Sequence, residues 1–504
     1  MARSSDLLRY ICNVPGMLGE HRRSLLWAAL AGLALRLFFL TYAPAVTDDS
    51  HGYIDLANNW LQHGIYGQTE SGEIVPSDGR LPGYPAFLAA IFWIFGPGNI
   101  RAALVAQILL DLVTCGVIAD LARRMVPRRI AGPVAFALAT TCPFLANYAA
   151  AGLTESLETL FTAVALDCVV AGLSRIDENV GEYTRLWPFW VATGVAIGAC
   201  ILLRPDGGIV LAAVGVYFGV VMMRGASNSP IAKGLMIRTR ASARTMRSSI
   251  AWAGITVAVV ALAPLVPWTI RNFRTFHHFE PLAPRYASES DELTPRGFNA
   301  WVKTWMAEYA SVQEIYWNVQ GDVKGDKIEP NKLPSRALDE PGRNETLALI
   351  AEYNQTQTLT PESDARFAAL AAERIRAHPL RYYVELPVLR VADMWLRPRT
   401  ELLPPDPRWW EFNDERRESA LAVGFGLLNL IYVGSALFAI ARKSSCLRYA
   451  GLLGGFLVLR SAFLGTIENP EPRYTLECYP VVIVWAAAFW AAKFEPSSSA
   501  LRRT

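Results

Sequence analysis

The stretch "LLWAALAGLALRLFFLTYAPAVTDDSHGYIDLANNW", residues 25–60, sets the terms on which the rest of the chain is read. Its first half, 25–42, is an apolar run close to the roughly 20 residues that cross a bilayer. Asp48 and Asp49 then stand side by side where such a helix leaves the membrane. Beyond them Tyr53, Ile54, Leu56, Ala57, Trp60 and Leu61 follow the i, i+3, i+4, i+7, i+8 rule. That spacing predicts an amphipathic helix lying on the membrane surface. Asp49 or Ser50 reads as its N-cap. Capping accounts for one acid and leaves a second carboxylate for chemistry.

The whole chain supports a membrane reading. Of its 504 residues 52% are hydrophobic and 18% charged, against the roughly 25% charged residues of soluble domains. A net charge of +3 gives no sign of a nucleic-acid partner. The seven cysteines, Cys12, Cys115, Cys142, Cys168, Cys200, Cys446 and Cys478, form no CxxC pair and no disulfide framework. Residues 1–24 lack a cleavage-type signal, so the first apolar run reads as a retained anchor.

Ten spans are expected, at 25–42, 102–122, 130–147, 156–173, 187–203, 208–223, 250–268, 418–441, 447–465 and 477–492. The run "GYPAFLAAIFWIFGP", 83–97, is too short and too bounded by Gly and Pro to cross, and reads as re-entrant or interfacial. Lys and Arg set the orientation. With both termini inside, the inner segments hold "HRRS", "ARRMVPRR", the basic stretch 224–249, "RKSSCLR" and "LRRT". The outer segment 43–101 holds only Arg80 and Arg101. The expected fold is therefore an all-α polytopic membrane protein with about ten transmembrane helices, interfacial helices and a small α-rich outer domain. The expected divisions are 1–268, with its outer loop 43–101; the outer region 269–417; and 418–504, closing in an inner tail. In a bacterial inner membrane the outer side is the periplasm.

The outer segments share one chemistry. Arg80 precedes the Pro-Gly turn of "DGRLPGYPAF"; "LTESLETLF" offers Thr154 as a cap and Glu155 at the positive end of a helix. "LLRPDG" ends a span on Arg204, "VPWTIRNF" carries Arg271, and "IENPEPRYTLECYP" carries Glu468, Glu471, Arg473 and Tyr474. A single arginine at a membrane edge reads as a snorkelling anchor. Four on one side, Arg80, Arg204, Arg271 and Arg473, with acids among them, read as a site for an anionic lipid headgroup. Two more, Arg36 and Arg460, lie inside spans, where arginines face the bundle or, near an end, snorkel.

A carboxylate beside arginines at the outer surface suits transfer of a sugar from a lipid phosphate. The arginines neutralise the leaving phosphate. The carboxylate takes the acceptor's proton, and a single displacement inverts the anomeric carbon. Competing chemistries lack their motifs. There is no Walker A or GxGxxG sequence, no HExxH, no inner DxD pair and no GxSxG elbow, and the six histidines lack zinc spacing.

Read in order, "DDSHGYIDLANNWLQHGIYG", "GRLPGYPAFLAAIFWIFG", "LTESLETLF", "LLRPDG", "PWTIRN", "RIRAHPLRYYVELPVLRVADMWL" and "PEPRYTLECYP" resemble the GT-C superfamily of polyprenyl-phosphate-sugar glycosyltransferases. The likeness is greatest to the bacterial relatives of protein O-mannosyltransferases and of lipid A aminoarabinose transferase. The resemblance implies Asp49 as catalytic base with Asp48 as helper or substitute. It implies Arg80 as the donor-phosphate contact; Tyr84, in the following turn, is a further candidate for substrate binding. It implies Glu155 as a second acidic position and Arg473 with Tyr474 as a C-terminal outer motif. A divalent metal serves some members; here the only candidate ligands seen in the sequence are Asp48, Asp49 and Glu155, so no metal and no cofactor is expected. The expected partners are the bilayer, a polyprenyl-phosphate sugar and a glycolipid, polysaccharide or protein acceptor. The outer region would cover the cavity and help choose the acceptor. Two other readings share the arginines: a flippase or transporter of a lipid-linked sugar, which calls for mid-bilayer polar residues and repeats, and a non-catalytic glycolipid-binding subunit, which has no need of Asp49.

Overall fold

Leu18–Tyr42 forms one helix, α1, and its lipid-length apolar face is broken only by Arg36. Arg36 is fully buried. Its Nε donates to Asp111 Oδ2 at 2.6 Å, and Nη1 donates to the carbonyls of Gly32 and Thr140 at 2.9 and 2.7 Å. The intramembrane arginine thus faces the bundle rather than snorkelling, because a buried guanidinium needs a counter-charge and acceptors for its donors.

The computed structural model describes residues 18–178, 186–224, 240–284, 293–319, 321, 323–411, 416–442 and 447–495. The basic run 225–239, Cys12, Cys446 and the chain ends on which the inner placement of the termini rests lie outside the described residues. The other five cysteines are buried and free. The chain divides into two units, one of Met1–Ala283, Tyr432–Leu457 and Leu476–Thr504, the other of Pro284–Ile431 and Val458–Thr475.

In the first unit α1 is followed by α2 (Asp48–His63), a hairpin of β1 (Gly67–Glu70) and β2 (Glu73–Pro76), and α3 (Gly83–Phe95). Then come α4 (Ile100–Met125), α5 (Ala131–Thr140), α6 (Pro143–Ala149), α7 (Glu155–Glu178), α8 (Trp187–Leu203), α9 (Gly208–Arg224), α10 (Arg240–Leu262) and α11 (Leu265–Phe276). Helix α7 packs on α4 and α8, and α8 packs on α10. The last helix, Tyr479–Phe494, packs on α4 and α5.

Every expected span has a helix. Seven helical stretches are long and apolar enough to cross a membrane: Arg22–Tyr42, Ile100–Met125, Glu155–Ile176, Pro205–Met223, Arg247–Phe276, Arg416–Ala441 and Pro472–Phe494. Ala131–Thr140, Trp187–Leu203 and Ala450–Leu464 are apolar but shorter, as is Gly83–Phe95. The expected span 130–147 is two helices, because Pro143 opens α6 and cannot continue the hydrogen-bond ladder of α5. Burial separates the spans into centre and periphery. The most apolar stretch of Glu155–Ile176 is 89% buried and that of Pro472–Phe494 83%, against 22% for α1. The former two are bundle-centre helices; α1 shows its apolar side chains to lipid.

The hairpin is the one two-stranded sheet among the described residues. Ser71 and Gly72, both at positive φ, make its two-residue turn. Asn59 and Asp55 of α2 hold it: Asn59 Nδ2 donates to the Gly67 carbonyl at 3.0 Å, and the Thr69 amide donates to Asp55 Oδ2 at 2.6 Å. At the other end of this loop, α3 begins against the end of α8. A Cβ on Gly83 would sit 2.6 Å from the Leu202 carbonyl carbon and oxygen. Gly83→Ala is therefore expected to push the two backbones apart and cost about 1–3 kcal/mol, read as a lowered Tm of the purified protein in detergent.

The second unit holds its own core, built on Phe298, Trp301, Trp305, Phe367 and Leu370. Helix Arg296–Lys303 packs on Pro361–Ala377, whose N-cap Thr360 accepts from the Ser363 amide. Polar ties brace it. Arg408 grips both oxygens of Glu314 at 2.8–3.0 Å. The Tyr309 amide donates to Asp393 Oδ2 at 3.0 Å, and burial pushes the Asp393 carboxyl above its usual range, with Arg397 opposing. Arg460 is buried here and donates to the Tyr474 carbonyl at 3.3 Å, so it too faces protein.

Candidate functional site at the helix ends of the first unit

Thr47, rather than Asp49 or Ser50, caps α2. Its amide donates to Ser50 Oγ at 3.0 Å, completing a capping box with Ser50 at the third helical position. Both aspartates are thereby left in the first turn, where the helix dipole favours their charge. Asp48 is exposed. Asp49 is half-buried and accepts from Arg80 Nη2 at 2.5 Å. The Arg80 guanidinium also lies over the Tyr53 ring, 5.3 Å from its centre. Arg80 is held from its backbone, since the Tyr66 hydroxyl donates to its carbonyl at 2.9 Å. Burial pushes the Tyr53 hydroxyl above its usual range, with Arg80 opposing, so Tyr53 stays a neutral phenol.

A backbone stitch brings the "AAAGLTES" loop to the same place. The Ala45 amide donates to the Ala150 carbonyl at 3.1 Å, and the Gly152 amide donates to the Ala45 carbonyl at 2.9 Å. A Cβ on Gly152 would stand 3.0 Å from Ser50 Oγ, so the loop lies directly on the first turn of α2. Beneath it, fully buried Tyr84 donates to Gln107 Oε1 at 2.5 Å, and Gln107 Nε2 donates to the Ala151 carbonyl at 2.8 Å. Tyr84 also meets Tyr53 edge-to-face at 5.0 Å. Its hydroxyl is engaged below the loop, which gives it a supporting place.

Glu155 opens α7, as its position after Thr154 predicts, and is buried. Arg204 ends α8 in extended conformation before Pro205. Its guanidinium gathers three acids: Glu155 Oε1 at 3.3 Å, Asp206 Oδ1 at 3.3 Å and Glu158 Oε2 at 3.6 Å. Burial works against the charge of Arg204, and Asp206, Glu158, Glu477 and Glu155 more than offset it, so its pKa is raised and it stays cationic. The carboxylate oxygens of Glu158, Asp206 and Glu477 lie within 4.8 Å of one another, a grouping that could hold a metal ion. Sequence reading missed Glu158, Asp206 and Glu477. The three-residue spacing of Glu155 and Glu158 at a helix start was the available signal.

Arg271 sits elsewhere in this unit. It donates to the carbonyls of Tyr66 and Ser77 at 2.5 and 2.8 Å and stacks near Tyr66 and Trp268, closing the base of the hairpin loop. Arg473 and Tyr474 belong to the second unit. There Arg473 Nε pairs with Glu471 Oε2 at 2.6 Å and the Tyr474 hydroxyl donates to Glu471 Oε1 at 2.7 Å. The geometry of the first unit thus joins Asp49 to Arg80, and Glu155 to Arg204, with Tyr53 electrostatically linked to all four.

Residues 77–268 match the family described as dolichyl-phosphate-mannose-protein mannosyltransferase. No curated protein matches the sequence. Among solved structures, the chain is similar to archaeal oligosaccharyltransferase AglB from Archaeoglobus fulgidus, with 13% identity and a TM-score of 0.49 over 96% of this chain and 51% of that one. It is also similar to ArnT from Cupriavidus metallidurans in the apo state, with 13% identity and a TM-score of 0.39 over 93% and 77% of the two chains. The chain spans about half the length of the archaeal oligosaccharyltransferase. The matched segment covers less than half of the chain and holds Arg80, Glu155 and Arg204.

Proposed function

We propose that the chain is an inverting glycosyltransferase that moves a sugar from a polyprenyl-phosphate donor to an acceptor hydroxyl. The carrying observation is the 2.5 Å contact of Asp49 with Arg80 on the first turn of α2. It sets a carboxylate beside a cation suited to phosphate. The matching family is named for a lipid-phosphate mannose donor, which supports a donor of that class. In the proposed reaction the donor phosphate draws Arg80 from Asp49. The acceptor oxygen attacks the anomeric carbon as Asp49 takes its proton. The bond from the anomeric carbon to the phosphate oxygen breaks, and polyprenyl phosphate leaves with the electron pair, its charge met by Arg80. The face that carries the site is, on the distribution of Lys and Arg, the outer one, periplasmic in a bacterial inner membrane. The sugar is a hexose or pentose, and the acceptor a glycolipid, polysaccharide or protein.

The test is the purified protein in liposomes with a panel of polyprenyl-phosphate sugars and a membrane extract as acceptor. Release of free polyprenyl phosphate together with an anomerically inverted product is the expected result. Labelled lipid crossing the bilayer with no product would replace the proposal with a flippase. Arg80→Ala is expected to raise KM for the donor about tenfold, the loss of one charge-assisted hydrogen bond. An unchanged KM would remove Arg80 from the donor site.

A further inference from the structure

We infer that the second unit carries a docking site for a bilayer phospholipid with an anionic headgroup, formed by the helical stretch 379–396 and the cleft at its start. Residues 379–396 are helical throughout and two-faced. Leu386, Arg390 and Met394 turn inward and are buried. Leu380, Tyr383, Val384, Val388 and Leu396 keep to the other side, each at least 50% exposed. A helix in water shows polar residues on that side. An apolar outer face belongs to a helix lying against lipid. The far end fixes its place. Trp395 Nε1 donates to Ser461 Oγ at 3.1 Å, and Asn429 Nδ2 donates to the carbonyls of Trp395 and Arg397 at 2.8 and 3.1 Å. Ser461 and Asn429 belong to the apolar helices Ala450–Leu464 and Arg416–Ala441. The exposed stripe thus runs beside helices built to meet lipid.

At the start of the stretch lies a cleft of about 480 Å³, within the roughly 300–1,000 Å³ of small-molecule sites. Its lining combines Arg336, His378 and Arg381 with Leu380, Leu386 and Leu389. Glu385 is the one acid in the lining and is exposed. Behind the cleft Arg374 is buried and donates to carbonyls alone, those of Ala337 and Arg336, at 2.7 and 2.6 Å. Arg336 meets Glu308 and Arg381 meets Asp339, both acids open to water, where ion pairs are weak. Positive charge is left crowded. Burial, and after it the charge of Arg381, pushes Arg374 down to about 10 and Arg336 below its usual range. A phosphate diester between Arg336 and Arg381 would relieve that crowding, and the planar fork of arginine suits it. An acyl chain leaving the phosphate would follow Leu386 and Leu389 to the exposed stripe. A soluble phosphate would use the arginines and leave the leucines bare; a phospholipid uses both.

The test is independent of sugar transfer. The full-length protein is placed in phosphatidylcholine liposomes with a trace of photoreactive lipid. The probe carries a diazirine near the head of one acyl chain and is either a phosphatidylglycerol or a phosphatidylcholine. Cross-linked residues are mapped by mass spectrometry. Labelling of 380–389 is expected to be at least about fivefold stronger with the anionic probe, the preference that one arginine gives an anionic lipid. Leu26, Trp27 and Leu30, exposed on α1, should be labelled equally by both probes. Arg381→Gln should bring the two probes level at 380–389 and leave α1 unchanged. Equal labelling of 380–389 by the two probes in the wild-type chain overturns the inference, as does an undiminished preference in Arg381→Gln. No labelling of 380–389 by either probe removes that face from the bilayer, and cross-links from it to a second copy would assign it to a dimer instead. Excess glycerol 3-phosphate in the buffer should leave the labelling intact; displacement by it would make the cleft a site for the headgroup alone and overturn the lipid dock.

Discussion

Asp49→Asn abolishes sugar transfer while leaving the donor bound: that is the expected result with the largest effect. Asparagine keeps the shape and the oxygen that accepts from Arg80 Nη2, so the pair survives as a neutral hydrogen bond. It has lost the capacity to take a proton. General-base help is worth on the order of 10²–10⁴ in rate, and the fall belongs in kcat. Asp48 supplies the control. It is exposed on the same helical turn, so Asp48→Asn should stay within a few-fold of wild type. Single-turnover transfer in liposomes, with donor binding measured separately, checks both. Equal turnover in Asp49→Asn and wild type would remove Asp49 as the base and turn attention to Glu155.

Arg204→Gln should give the largest loss of stability. The guanidinium stands 3.3–3.6 Å from three carboxylates and is largely enclosed. Removing one partner of a buried ion pair costs about 3–5 kcal/mol, because the remaining charge is left without compensation. Here the orphaned charges sit at the starts of α7 and α9, so the junction of three spans should loosen together. Thermal unfolding in detergent reads this directly. Adding Glu158→Gln to Arg204→Gln should recover part of the loss, since one of the stranded charges disappears. An unchanged Tm in Arg204→Gln would mean that the cluster is already neutral without its arginine.

The spans were legible because lipid imposes long apolar runs that no soluble fold requires, and α1, α4, α7 and the Arg416–Ala441 helix follow them closely. The break at Pro143 was legible in principle, since proline cannot serve the interior of a helix. The Asp49–Arg80 pair could be anticipated as two residues of one outer segment with complementary charge. The cap could not be ranked, because Thr47, Asp48, Asp49 and Ser50 are all capable N-caps and only backbone geometry chooses Thr47. The meeting of Glu158, Asp206 and Glu477 depends on how three distant helices pack at the bundle centre, which no local pattern encodes. Arg271 carried the same residue type and the same side of the membrane as Arg80, yet its donors go to the carbonyls of Tyr66 and Ser77. Composition cannot tell an arginine that holds a loop from one that meets a ligand.

The pairing of Ala45 with Ala150 and Gly152 uses main-chain atoms alone. Its information is therefore written in no side chain. A saturation library over residue 45 should accept small and polar substitutions alike and reject proline, which has no amide hydrogen to offer the Ala150 carbonyl. Lineages could rewrite residue 45 and keep the first turn of α2 in register, so a comparison of sequences would pass over the join that holds the two loops together.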